Sequence, residues 1–154
     1  MKILFVSLGN ICSSPFAEGI LKSKFEEKQI EAVVESAGFE SFNINEPPDE
    51  QIVKFAEKLG IGLSENKCRL FTSADFDKFD KIYAIDSASF RDAEYFSRDE
   101  KDMEKVQYLL SVIDGRNLSL PKLFLEGEKG LEKMHQILDE ACEIIANQVV
   151  NQSV

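Results

Sequence analysis

The sequence predicts an α/β fold, a four-stranded parallel sheet with helices on both faces, and three observations carry it. Short apolar runs recur at residues 3–6, 32–34, 81–85 and 106–109, the length and composition of buried strands. Between them, apolar residues recur at helical spacing. The two patterns alternate along the chain, which is the order that crossover helices and a parallel sheet require.

Each element follows from local signals. Residues 3–6 end at Ser7-Leu8-Gly9-Asn10, a turn signal. Ser13 or Ser14 is expected to N-cap the first helix, with Pro15 in its first turn, where a missing N–H costs nothing. Phe16, Ile20, Leu21 and Phe25 give that helix its apolar face. The second strand begins at 32–34 and ends at Ser36-Ala37-Gly38. A loop over 39–48 leads to a helix with Ile52, Phe55, Ala56 and Leu59 on one face and Gly60 as its stop. A short helix is expected over 73–79, a strand over 81–85, a helix over 87–96 and a strand over 106–109. After an irregular segment over 113–127, Met134, Leu138, Ala141 and Ile145 mark a long last helix.

A length of 154 residues fits one domain, 1–154. With 44% hydrophobic residues and 12 Phe the chain can bury a core, which argues against disorder. Eighteen Lys and Arg against 28 Asp and Glu leave a net charge of -10. So acidic a chain is a poor partner for nucleic acid or an anionic membrane. No stretch reaches the ~18 apolar residues of a membrane span, and the N-terminal run is too short for a signal peptide. Three cysteines, Cys12, Cys68 and Cys142, stand at no metal-ligand spacing. They fit a reducing cytoplasm, and neither a metal nor a cofactor is expected.

Ligands of open α/β sheets bind at the carboxyl ends of the strands. Ser7-Leu8-Gly9-Asn10-Ile11-Cys12-Ser13-Ser14 lies at such an end and runs into a helix N-terminus, where free N–H groups attract anions. Gly9 and Asn10 are the residues best able to take positive φ in such a curled loop. An ordinary strand-to-helix turn is the alternative reading of these features.

Residues 6–18 read V-S-L-G-N-I-C-S-S-P-F-A-E and resemble the phosphate-binding loop of the low-molecular-weight protein tyrosine phosphatases, V-C-L-G-N-I-C-R-S-P-x-A-E. Further collinear stretches extend the resemblance along nearly the whole chain. They are Ser36-Ala37-Gly38, Glu46-Pro47-Pro48-Asp49, Gly60-Ile61-Gly62-Leu63-Ser64, Ala84-Ile85-Asp86 and Gly127-Glu128-Lys129-Gly130 followed by Ala141-Cys142. The resemblance implies a flavodoxin-like architecture and a phosphatase site built from a cysteine nucleophile, a phosphate-clamping arginine and an aspartic acid.

At these three positions the chain departs from the family. Ser7 stands at the nucleophile, and a hydroxyl forms no anion near neutral pH without an adjacent base. Ser13 stands at the arginine and offers one neutral donor in place of a charged fork. The acid position falls on Lys122 when counted back from Gly127, or on Leu120 when the prolines are aligned. The resemblance therefore implies a pseudophosphatase, with Leu8, Gly9, Asn10, Ile11, Cys12 and Ser14 as the remaining anion loop. Asn10, Ser14 and Ser36 match positions that hold the loop's shape, while a histidine position holds Asn66.

Phe42 matches an aromatic at the cleft rim, with a loop residue covering the core as the alternative. Asp86 matches an acid near the cleft, expected to carry an uncompensated charge that disfavours dianions. Arg69 matches a basic position and is expected to be structural. Cys12 is expected to be small and buried, its pKa raised by Glu18, with redox reactivity as the alternative; Cys68 and Cys142 are expected to pack. The expected partners are a weakly bound phosphate-like anion, a phosphoprotein or another protein. A weakly active tyrosine phosphatase is the alternative function, and a flavin carrier a remote one.

Overall fold

In the computed structural model, which describes residues 1–152, β1 (Lys2–Val6) and β3 (Lys81–Ala84) are the two inner strands of a four-stranded sheet. β2 (Val33–Ala37) and β4 (Val106–Tyr108) flank them in the order β2-β1-β3-β4, and every pairing is parallel. Both faces of β1 are covered, which is why its apolar run is continuous rather than alternating with polar residues. Ile3 and Phe5 enter one core, Leu4 and Val6 the other, as the two-residue period of a strand dictates.

The larger core lies under α1 (Ser13–Glu27), α2 (Glu50–Lys58) and α7 (Gly127–Gln152). Phe16, Ile20, Met134, Leu138 and Ile145 pack there against Phe5 and Tyr83. On the opposite face, α3 (Asp75–Lys78), α4 (Ser87–Phe96) and α5 (Glu100–Glu104) contribute Phe76, Ala93 and Met103 to a second cluster with Phe71, Phe79 and Ile82. α6 (Ser111–Asp114) and a 3-10 turn (Leu123–Glu126) complete the chain before α7.

The chain leaves β1 toward β2 on one side and returns to β3 on the other, so the carboxyl ends of β1 and β3 form a switch point. Register places Val6 beside Ala37 and Ala84, so the turns after these three strands converge.

Several local expectations change. The N-cap of α1 is Cys12, with no side-chain cap, and Ser13 and Ser14 are the first two helical residues. The Ser14 hydroxyl is engaged elsewhere, as described below, so it is not spent on capping. Leu59 is the C-cap of α2 and is exposed, not part of its buried face, while Gly60 follows at φ 80° and ends the helix. α2 is capped by Asp49, which accepts from the N–H of Gln51 at 2.9 Å. α5 carries no apolar period; Asp99 accepting from the Asp102 N–H starts it. The irregular segment contains the end of α6, which Gly115 terminates at φ 79°, and the 3-10 turn.

Candidate functional site

The loop from Ser7 to Ser13 connects β1 to α1 and forms one wall of a cleft of about 290 Å³. The N–H groups of the seven residues Leu8, Gly9, Asn10, Ile11, Cys12, Ser13 and Ser14 make no hydrogen bond to any described residue. Consecutive unpaired N–H groups in a curled loop form a concavity that favours negative charge. The curl depends on Asn10, at φ 55°; Gly9 does not take positive φ, contrary to expectation. Asparagine enters this region at low cost because its short amide finds local partners.

Asn10 is 2% exposed and all its amide atoms are used. Its Nδ2 donates to Ser14 Oγ at 3.0 Å and to Ser36 Oγ at 2.9 Å, and its Oδ1 accepts from the Arg69 N–H at 3.0 Å. Ser14 Oγ lies 2.5 Å from Ser7 Oγ. Ser36 donates to Glu18 at 2.7 Å, and the second Glu18 oxygen meets Lys22 at 2.6 Å. Five buried polar side chains, those of Ser7, Asn10, Ser14, Ser36 and Glu18, are thus joined in one network.

The segment around Cys68 splints this loop from behind. The Cys68 thiol donates to the Asn10 carbonyl at 2.9 Å, so Cys68 holds the loop rather than merely packing. The Gly38 N–H donates to the Arg69 carbonyl at 2.8 Å. The Arg69 guanidinium grips Asp75 with two bonds of 3.1 and 3.0 Å, the structural role expected of it. Gly38 must lack a side chain, because a Cβ would stand 2.9 Å from both Asn10 N and Asn10 Cβ. Asn66, in the same segment, has no side-chain hydrogen bond among the described residues.

Opposite the loop stand Leu120, Pro121, Lys122 and Phe124. The Leu120 N–H donates to the Ile85 carbonyl at 2.9 Å, and a Cβ on Gly130 would collide with the Leu123 carbonyl oxygen. These contacts seat the 3-10 turn on α7 and aim Lys122 and Phe124 at the cleft. Among the described residues, Lys122 is the only cationic side chain lining it, against two carboxylates, Glu40 and Asp86.

The Asp86 carboxylate makes no ion pair among the described residues, but it is held by hydrogen bonds rather than left free. It N-caps α4, accepting from the Ser89 N–H at 2.8 Å and the Ser89 hydroxyl at 2.7 Å. Burial pushes the Cys12 thiol up to about 12, with the Asp49 carboxylate adding to the effect. Glu18 is not the cause, since it points into the Ser36 and Lys22 bonds. Cys12 is buried as expected, and burial likewise raises Cys68 and Cys142.

The structure therefore gathers Ser7, Leu8, Gly9, Asn10, Ile11, Cys12, Ser13, Asp86, Leu120 and Lys122 around one cleft, with Ser14 and Ser36 behind it. Phe42 is 84% exposed: it does not cover the core and does not line the cleft. The single histidine, His135, stacks on Phe16 at 5.8 Å away from the cleft lining. No group of His, Cys, Asp or Glu among the described residues could hold a metal ion, and no described helix is long and apolar enough to cross a membrane.

The family model described as low molecular weight phosphotyrosine protein phosphatase matches residues 2–154. The chain belongs to this family. It is 30% identical over 149 residues to the low molecular weight protein-tyrosine-phosphatase YfkJ of Bacillus subtilis, covering 93% of this chain and 92% of that relative. Among solved structures, a protein tyrosine phosphatase from Entamoeba histolytica with HEPES in its active site superposes at a TM-score of 0.89. That match has 27% identity over 100% of this chain and 99% of the other. DARP, an arginine phosphatase from Drosophila, matches at 0.85 with 31% identity over 97% and 98% of the two chains. The α/β architecture with a four-stranded parallel sheet is thus that of the low molecular weight phosphatases.

Proposed function

We propose that residues 1–154 form a single phosphatase-like domain that keeps the anion-binding loop of its family and has lost the hydrolytic reaction. Ser7, Ser13 and Lys122 or Leu120 occupy the positions of the nucleophile, the clamping arginine and the general acid. One observation carries the reading: nothing bonded to Ser7 can take its proton. Among the described residues its hydroxyl meets only Ser14, and Ser14 in turn meets the Asn10 Nδ2, which donates. Because that amide donates to Ser14 and Ser36 alike, no relay leads from Ser7 to the Glu18 carboxylate. A serine without a base is a poor nucleophile, and loss of a nucleophile alone costs roughly 10⁶ in turnover in a triad hydrolase.

The seven unpaired N–H groups support retention of anion binding. HEPES in the Entamoeba relative supports the same reading of the loop here. The protein acts in the cytoplasm as a binding or regulatory partner, toward a phosphate-like anion or a phosphoprotein; three buried free thiols agree with a reducing compartment. A weakly active tyrosine phosphatase is the second reading, favoured by the activity named for the relatives. An aryl phosphate assay between pH 5 and 7 separates the two: no turnover above the buffer blank is expected. Turnover that disappears in Ser7→Ala would overturn the proposal.

A further inference from the structure

We infer that the cleft selects a singly charged oxyanion on an apolar or aromatic body, a carboxylate or a sulfonate, and that Ser7 serves it as a hydrogen-bond donor. The inference rests on the reading of the cleft as an anion site and names the ligand class that site prefers.

The direction of the buried hydrogen-bond chain decides the role of Ser7. Asn10 Nδ2 carries two protons, given to Ser14 and Ser36. Ser14 Oγ has one proton, and the acceptor within reach among the described residues is Ser7 Oγ at 2.5 Å. Ser14 therefore donates to Ser7. The Ser7 proton then has no acceptor among the described residues, although the side chain is 7% exposed and lines the cleft. A buried hydroxyl with an unspent proton is satisfied by an acceptor placed in the cleft. Each donor upstream polarises the next, so the last one, Ser7, is strengthened as a donor.

The charge of the lining decides how much negative charge the ligand carries. The loop supplies neutral donors, and Lys122 is exposed, so it is screened by solvent. Glu40 and Asp86 oppose it. A second negative charge on the ligand meets these carboxylates without a guanidinium to offset them. One negative charge is enough to use Ser7 and the N–H groups, and two are a penalty. The remaining walls, Leu8, Ile11, Ile85, Leu120, Phe124 and Met134, are apolar and cover a hydrocarbon body.

The test is an amide NMR titration of the full chain at pH 8 with benzenesulfonate, phenylacetate and phenyl phosphate. The phosphate ester is then a dianion, its second pKa being about 6. Benzenesulfonate and phenylacetate are expected to shift the amides of residues 8–14 and to bind roughly tenfold tighter than phenyl phosphate. Ser7→Ala, with its fold checked in the same spectrum, is expected to weaken the sulfonate by about fivefold. Glu40→Gln should narrow the gap by improving phenyl phosphate about threefold. Phenyl phosphate binding as tightly as the sulfonate would overturn the inference and leave the anion site standing. If none of the three perturbs the loop, the inference and the anion reading fall together. Unchanged sulfonate binding in Ser7→Ala would overturn the donor role.

Discussion

The two walls of the cleft are held in different ways. The Ser7–Ser13 wall is fixed by polar side chains: Asn10 alone makes three side-chain hydrogen bonds, to Ser14, Ser36 and the Arg69 backbone. The opposite wall, with Leu120, Pro121, Lys122 and Phe124, rests on backbone bonds and on the close packing of Gly130 under Leu123. Side-chain networks place donors with precision, because removal of one member leaves the others buried and unpaired. Backbone seating places a wall without dictating which side chains project from it. Side chains can thus change on the second wall at little cost to its position, while the geometry of the first depends on its own polar residues.

Asn10→Ala attacks the first wall where it is most determined, and the largest effect is expected there. It removes three hydrogen bonds and asks alanine to hold φ 55°. Urea denaturation should register a loss of about 3 kcal/mol or more. A loss under 1 kcal/mol would erase the contrast between the walls.

Alkaline pH probes the same wall through Cys12. Its thiol is held protonated to about 12 in the folded protein and ionises nearer 9 when exposed. The unfolded chain therefore releases this proton first as pH rises, and folding stability falls between pH 9 and 12. The slope from one such group is about 1.4 kcal/mol per pH unit at most. The stability difference between pH 8 and 10 should be smaller in Cys12→Ala than in the parent chain; equal differences would remove Cys12 from the account. Cys142 contributes in the same direction in both proteins.

Lys122→Ala is the mild counterpart on the second wall. The side chain is exposed and makes no ion pair among the described residues, so the change in unfolding free energy should stay within about 0.5 kcal/mol. A loss comparable to that of Asn10→Ala would show that the second wall, too, is held by its side chains.

The strands, the main helices and the carboxyl-end position of the site were legible in the sequence because they are written in patterns a few residues long. The continuous apolar run of residues 3–6 and the helical spacing of Met134, Leu138, Ala141 and Ile145 needed no knowledge of distant chain. The short helices α5 and α6 escaped, since a single turn held by a cap carries no period. The loop residues were found through motif resemblance, and the structure assembled them around one cleft.

What only the tertiary structure decided was the use of each polar group. Asn10 meets Ser36 across 26 positions and Cys68 across 58, and no local pattern predicts which thiol donates to which carbonyl. Asp86, read as a free charge, is a helix cap because α4 begins beside it. Glu18, read as a neighbour of Cys12, turns to Ser36 and Lys22, leaving Asp49 to act on the thiol. Periodic burial is encoded by sequence neighbours, whereas hydrogen-bond partners are selected by geometry after the chain has packed.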